Sequence, residues 1–259
     1  MDEVRPRVAV LGASKEGGTG WAIAELLARQ GCDVTVGARS TGEITRLASA
    51  LGGRAVTCDA TRESDVEAFA AAAASDGPLA AAILVAGEGV RGSIDAIDPA
   101  EFERSIRLNL VAPVYFLRHL ARHLADGGGL VLMSSIAASN PWPGYFSYGA
   151  AKAGVETLVR YGALEYGPRG IRVNAVVPGP IRTSTDSVLF SNIFLREALE
   201  REVPLGQTAA VDEVAEAAVW LALHARSVTG ESLRVDGGMH LRRPPFPDEL
   251  QAALEKSKT

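Results

Sequence analysis

A serine, a tyrosine and a lysine, standing at Ser135, Tyr148 and Lys152, are the residues of this chain best suited to proton transfer. Tyr148 and Lys152 are at i and i+4, which on a helix places them on one face about a turn apart. Apolar positions recur at helical spacing through AGVETLVRYGALEYG just beyond them, so a helix is expected here. An ammonium beside a phenol favours the phenolate and lowers its pKa from about 10. A tyrosine tuned in this way exchanges a proton with an alcohol or carbonyl oxygen near neutral pH. Ser135, which sits after the apolar run LVLM, can hydrogen-bond the same oxygen. Taken alone, the tyrosine–lysine pair is more simply a solvated helix face. The surrounding elements change that balance.

The run RVAVL is followed at once by GASKEGGTG and then by WAIAELLARQG, which reads as an amphipathic helix closed by Gly31. Strand, glycine-rich turn and helix in this order form a dinucleotide-binding crossover. Gly12 allows the tight turn, and Gly18 and Gly20 let backbone amides at the helix N-terminus approach a pyrophosphate. The next strand, DVTVGAR, ends where the adenosine ribose would lie. An NAD site usually has Asp or Glu there, whereas this chain has Ala38 and Arg39, with Lys15 in the glycine loop. Two cations and no carboxylate suit a 2′-phosphate, so the expected cofactor is NADP(H) rather than NAD(H). A third strand, RAVTC, leads to Asp59, which either accepts from the adenine amino group or caps a helix starting near Thr61. AAAILVAG is a fourth strand, apolar throughout as a strand buried on both faces should be, and its glycine-rich exit should border the cofactor.

The stretch from Pro99 through LADGGG is expected to be one long helix, with Asn109 among apolar neighbours and in need of a hydrogen-bonding partner. His119 and His123 have metal-like spacing, but no third ligand is nearby and an ordinary helix surface is the simpler reading; no metal site is expected. LVLMS is a fifth strand and IRVNAVVPGP a sixth. The long segment that follows is either a substrate lid or a connecting helical hairpin. A further amphipathic helix, VDEVAEAAVWLALHA, and a last short strand precede a proline-interrupted tail at 239–259, expected to be at most partly ordered. No repeat or linker divides the chain, so residues 1–259 read as one α/β domain.

Bulk properties set the class. Of 259 residues 47% are hydrophobic, ample for a core, and 27 are glycine. The net charge of −5, without a basic block, gives no suggestion of nucleic acid or an anionic membrane as partner. Cys32 and Cys58 have neither zinc nor disulfide-framework spacing, which suits a reducing compartment. No apolar run approaches 18 residues and MDEVRPR has no signal-peptide core, so a soluble cytoplasmic protein is expected.

The glycine loop, Asp59, Asn109, Ser135, Tyr148 with Lys152, the PG after the sixth strand and the final VDGG, in this order, resemble the short-chain dehydrogenase/reductase family over about residues 7–238. The resemblance implies a three-layer α/β/α Rossmann fold with a doubly wound, seven-stranded parallel sheet, as a homotetramer or homodimer. It implies a tetrad in which Tyr148 is the acid/base, Lys152 lowers its pKa and holds the nicotinamide ribose, Ser135 positions the substrate oxygen, and Asn109 supports a water-linked proton path through Lys152. It also implies a cofactor set of Gly12, Ser14, Lys15, Gly18, Thr19 and Gly20 at the phosphates, Arg39 and Asp59 at the adenosine, and Ala86 and Gly87 beyond the fourth strand. Pro178, Gly179, Ile181 and Thr183 would border the nicotinamide. Two departures stand out. The loop is two residues longer than the family's TGxxxGxG, leaving Gly17 or Gly18 to take the middle role, and Leu84-Val85-Ala86-Gly87 replaces NNAG. The implied reaction moves hydride between nicotinamide and a carbonyl or secondary alcohol. A non-catalytic NADP(H)-binding sensor or scaffold and a reductase of an activated C=C bond are the alternatives. Val90, Trp142, Tyr145, Phe146, Leu189, Phe190 and Phe194 are apolar or aromatic candidates either for a ring-bearing substrate or for ordinary packing.

Overall fold

Seven apolar runs become seven parallel strands in the computed structural model, which describes residues 5–182 and 188–256. The strands are β1 (Arg7–Leu11), β2 (Asp33–Ala38), β3 (Arg54–Thr57), β4 (Leu79–Leu84), β5 (Leu124–Met133), β6 (Arg172–Pro178) and β7 (Ser232–Val235). Their order across the sheet is β3-β2-β1-β4-β5-β6-β7, every neighbouring pair parallel. From β1 the chain winds outward to β3, then returns to the other side of β1 as β4. The strand order reverses there, and a crevice opens at the carboxyl ends of β1 and β4.

Both faces of the sheet are covered, which is why β1, β4 and β5 tolerate nearly unbroken apolar sequence. On one face lie α1 (Thr19–Arg29), α2 (Thr41–Leu51) and α9 (Val211–Val219), packing Ile23, Leu27, Ile44, Leu47 and Val214 against Val10 and Ile83. On the other lie α3 (Glu63–Ala73), α5 (Ala112–His123) and α6 (Phe146–Tyr166), where Phe69, Phe116, Val155 and Val159 pack against Leu11, Leu84 and Leu132. No helix among the described residues is long and apolar enough to cross a membrane.

Three expectations are corrected. The long helix from Pro99 is two helices, α4 (Pro99–Ile106) and α5, joined by a wide π-type turn at Arg107–Val111, and LADGGG belongs to β5. Pro99 and the Asp98 side chain, which accepts from the Ala100 amide at 2.7 Å, start α4 as expected. The wide turn carries one extra residue and rotates fully buried Asn109 inward. Secondly, His119 is not on the surface. It is buried, with Nε2 3.1 Å from the Glu63 carboxylate, so α3 supplies its partner. Thirdly, the C-terminal tail is ordered through α10 (Pro247–Lys256), which packs on α8 (Ile193–Glu200); the short α7 (Val188–Ser191) precedes α8. Among the described residues no cluster of His, Cys, Asp and Glu could hold a metal ion.

Candidate active site

The sheet's topology delivers Ser135 just past β5, and α6 brings Tyr148 and Lys152 on its first two turns. The Ser135 hydroxyl lies near enough to Tyr148 to act on its phenol. Ser135 also accepts from the Ala137 amide at 3.2 Å, which fixes its hydroxyl at the start of a short 3₁₀ turn, Ile136–Ala138. Lys152 is 2% exposed, and its Nζ donates to the Met133 carbonyl at 2.7 Å while lying 5.5 Å from the centre of the Tyr148 ring.

This arrangement changes the expected electrostatics. Burial pushes the Lys152 ammonium down to about 8. Burial likewise raises the Tyr148 phenol above its ordinary value; the Ser135 hydroxyl acts in the opposite direction, and Tyr145 adds to the rise. The expected lowering of Tyr148 by Lys152 is therefore not seen: the ammonium is turned to the end of β5 rather than to the phenolic oxygen.

Asn109 finds the partners its burial demands. Its Nδ2 donates to the Ser105 carbonyl at 3.0 Å and the Glu88 carbonyl at 2.9 Å, and its Oδ1 accepts from the Glu88 amide at 3.1 Å. The side chain thus pins the loop leaving β4. Gly87 lies in the angle: a Cβ there would stand 3.1 Å from both Asn109 Oδ1 and Lys152 Nζ.

The crevice between β1 and β4 gathers most of the predicted cofactor residues. A space of about 570 Å³ is lined by Gly12, Ser14, Lys15, Arg39, Asp59 and Ala86, with Gly87 beside them. Gly12 has φ +110, and any Cβ there would overlap the Ala86 amide. A Cβ at Gly20 would overlap the Gly12 carbonyl, so the helix can start this close to the turn only with glycine. The choice between Gly17 and Gly18 divides: Gly17 takes the left-handed turn, φ +70, while Gly18 is the N-cap of α1. Thr19 opens the helix, and no acidic side chain sits in its first turn. In place of the NNAG side chains, the Val85 and Ala86 amides tie the start of the loop by donating to the Leu11 carbonyl at 2.8 and 3.2 Å, and Asn109 holds it further on at Glu88.

Asp59 serves the turn rather than a helix cap. Its Oδ1 accepts from the Thr61 amide at 3.0 Å and hydroxyl at 2.8 Å, and α3 starts later, at Glu63. Its carboxyl is held low: burial opposes ionisation, but the two Thr61 hydrogen bonds and the charges of Arg39 and Arg62 outweigh it. Neither Lys15 nor Arg39 has an ion pair or side-chain hydrogen bond among the described residues. A glycine cradle at an open helix N-terminus, flanked by two uncommitted cations, fits a dinucleotide. Pro178, Gly179 and Ile181 follow at the end of β6, with the Gly179 amide donating to Val235 at 3.3 Å. Thr183 lies outside the described residues, as does the Leu189 side chain.

Beside Tyr148 and Ser135 opens a second cleft, of about 660 Å³, walled by Ile136, Trp142, Tyr145 and Pro180. Of the aromatic and apolar candidates whose side chains are described, Trp142 and Tyr145 reach it. Phe146 instead stacks on Phe102 with ring centroids 6.0 Å apart, Val90 is buried, Phe190 packs beside Trp142 against Ile136 and Leu199, and Phe194 lines a groove between α8 and α10. Sequence reasoning missed Arg91 and Leu250, which also line the cleft. Neither lies in a motif; both arrive through long-range folding.

Comparison with known proteins agrees with this geometry. The family model described as Enoyl-(Acyl carrier protein) reductase matches residues 12–240. A 3beta-hydroxysteroid dehydrogenase 1 of Eggerthella lenta is 38% identical over 245 residues, 90% of this chain and 93% of that protein. A cis-4-hydroxycyclohexanecarboxylate dehydrogenase of Sinomonas cyclohexanicum is 37% identical over 243 residues, 90% of this chain and 96% of its own. Among solved structures, a short-chain type dehydrogenase/reductase from Mycobacterium ulcerans superposes with a TM-score of 0.88 at 30% identity, covering 96% of this chain and 98% of that one. With its parallel sheet, dinucleotide crevice and Ser135–Tyr148–Lys152 constellation, the chain belongs to the short-chain dehydrogenase/reductase family, oxidoreductases that act on alcohol or carbonyl groups of small molecules with a nicotinamide cofactor.

Proposed function

We propose that the protein is an NADP(H)-dependent oxidoreductase that reduces a carbonyl to a secondary alcohol, with Tyr148 as acid/base. The observation that carries the cofactor choice is the pair of uncommitted cations, Lys15 and Arg39, in the adenosine end of the crevice, with Ala38 where an NAD site would have a carboxylate. When bound, the nicotinamide supplies the hydride. The chain's own part is protonic. Ser135 holds the substrate oxygen, and Tyr148, next to it in the cleft, donates the proton to that oxygen. Lys152, with a pKa near 8, is suited to resupply that proton, and Asn109 acts by holding the Glu88 loop against both. The names of the two relatives support a ring-bearing substrate.

The same reading takes residues 1–259 as one cofactor-binding unit acting in the cytoplasm, which the buried, unpaired Cys32 and Cys58 support and cell fractionation would test. It takes the working form as a homotetramer or homodimer, supported by exposed Tyr161 and Leu164 on α6 and open to test by light scattering. For the reaction itself, titration with NADPH and NADH at fixed ionic strength is expected to favour NADPH by tenfold or more, a preference lost in Arg39→Ala. Turnover of aromatic ketones should fall about 10²–10⁴-fold in Tyr148→Phe. Preference for NADH, or unchanged turnover in Tyr148→Phe, would refute the assignment. The family description keeps reduction of an activated C=C bond as a second reading, and a saturated ketone as product instead of an alcohol would favour it.

A further inference from the structure

The substrate cleft carries one charged side chain among its described lining residues, Arg91, and the other walls are apolar, aromatic or small. Resting on the carbonyl-reductase reading above, we propose that Arg91 recognises a carboxylate, so that the cleft takes substrates with a carbonyl or hydroxyl at one end, an apolar body and a carboxylate at the other.

Arg91 is exposed, and an exposed arginine is ordinarily a mobile, solvated cation. Two features set this one apart. Its Nε donates to the Tyr145 hydroxyl at 2.7 Å, and its guanidinium carbon lies 5.2 Å from the centre of the Tyr145 ring. The backbone beneath it is fixed as well: the Gly92 amide donates to the Gly144 carbonyl at 2.9 Å, and Gly92 forms a parallel bridge with Tyr145. Ring and backbone thus orient the guanidinium, and a fork oriented in advance loses less freedom on gripping a planar anion.

The terminal nitrogens are also uncommitted. Arg46, Arg104 and Arg243 each have a carboxylate partner within this chain. Arg91 has no ion pair among the described residues, and its Nε bond to Tyr145 leaves both terminal groups available for the bidentate pairing that carboxylates prefer. Position completes the argument. The Tyr145 ring that carries Arg91 stands edge-on to the Tyr148 ring, with centroids 6.4 Å apart. The cation is therefore one aromatic ring away from the proton donor, on the same cleft as Ile136, Trp142 and Leu250. A molecule spanning the two would have its polar ends separated by an apolar body lying on these walls.

The test compares 4-acetylbenzoate with its methyl ester as substrates, and 4-methylbenzoate with 4-methylbenzamide as unreactive ligands measured by calorimetry on the cofactor-loaded enzyme. The wild-type protein is expected to favour the acid by about tenfold in kcat/KM, through KM, and to bind 4-methylbenzoate more tightly than the amide. Both preferences should weaken as ionic strength rises, because the site is open to solvent. Arg91→Gln should reduce the acid-to-ester ratio about tenfold, and Arg91→Lys should retain part of it. An equal loss for acid and ester in Arg91→Gln would make Arg91 a prop for Tyr145 and overturn the proposal, as would an absence of acid preference in the wild type. If no ketone is reduced but 4-methylbenzoate still binds in an Arg91-dependent way, the carbonyl-reductase reading fails and the carboxylate site stands.

Discussion

Lys152 shows how far a residue's chemistry depends on what the fold places next to it. Spacing alone puts it beside Tyr148, and both are in the site. Spacing cannot show that its Nζ donates to Met133, because that carbonyl reaches the site only through the pairing of β5 in the sheet. The cost of burial is legible in the pKa near 8. A lysine normally titrates near 10.5, so between about pH 8 and 10.5 the folded state binds fewer protons than the unfolded one. Stability from this group therefore rises with pH through that window, and below about 8 the desolvation cost is present in full. Lys152→Met, apolar and of similar length, should abolish turnover yet stabilise the protein at pH 7. After allowance for the hydrogen bond lost at Met133, the expected gain is about 1–2 kcal/mol; it should shrink as pH rises above about 8 and reverse above pH 10.5, where only the lost hydrogen bond remains. Thermal melts of the two proteins across pH 6–11 would check this. A Met variant less stable than wild type at pH 7 would show that the Met133 bond outweighs the burial cost.

At the scale of elements, strands and the glycine-loop helix were the most readable features, since an apolar run bounded by glycines has few other fates. The junction at Arg107–Val111 was not readable. A π-type turn shifts the phase of the following helix by one residue without interrupting the apolar pattern that marks the helix. The lengthened loop was only half readable: the number of glycines showed a close approach, but not that Gly17 makes the turn and Gly18 the cap. Gly20 carries the prediction here. Its φ is ordinary, so Ala costs nothing in backbone conformation, but its Cβ would overlap the Gly12 carbonyl and force α1 away from the turn after β1. Gly20→Ala should destabilise the fold by about 1–3 kcal/mol. It should also weaken cofactor binding by tenfold or more, because the helix N-terminus is displaced from the phosphates. Urea unfolding and cofactor titration read the two effects separately. Unchanged affinity in a destabilised variant would mean the phosphates do not rest on this turn.

On the scale of the whole molecule, the substrate cleft draws on segments far apart in the chain: Arg91 after β4, Ser135 after β5, Tyr148 on α6, Pro180 after β6 and Leu250 near the C-terminus. A proline-interrupted, charged tail gives no local sign of reaching the site, because what holds it there is tertiary. Asn140 Nδ2 donates to the His240 and Arg242 carbonyls at 3.4 and 3.0 Å and Ala253 is buried, while Arg243 and Glu249 pair within the tail itself through two bonds of 2.7 Å. The Arg243–Glu249 pair is exposed, so it contributes little. With so little apolar burial behind it, α10 is a weakly held wall rather than part of the core, and the two properties should separate on truncation. Removing residues 247–259 is expected to lower global stability by no more than about 2 kcal/mol and to leave the cofactor dissociation constant unchanged, since none of the described residues lining the crevice between β1 and β4 belongs to the tail. The KM for an aromatic ketone should rise several-fold, because Leu250 no longer covers the apolar body of the substrate. Unfolding in urea, cofactor titration and steady-state kinetics on one truncated protein test all three. If KM stays constant, substrate does not lie against Leu250; if the cofactor is lost as well, the tail supports the whole carboxyl edge of the sheet and not the cleft alone.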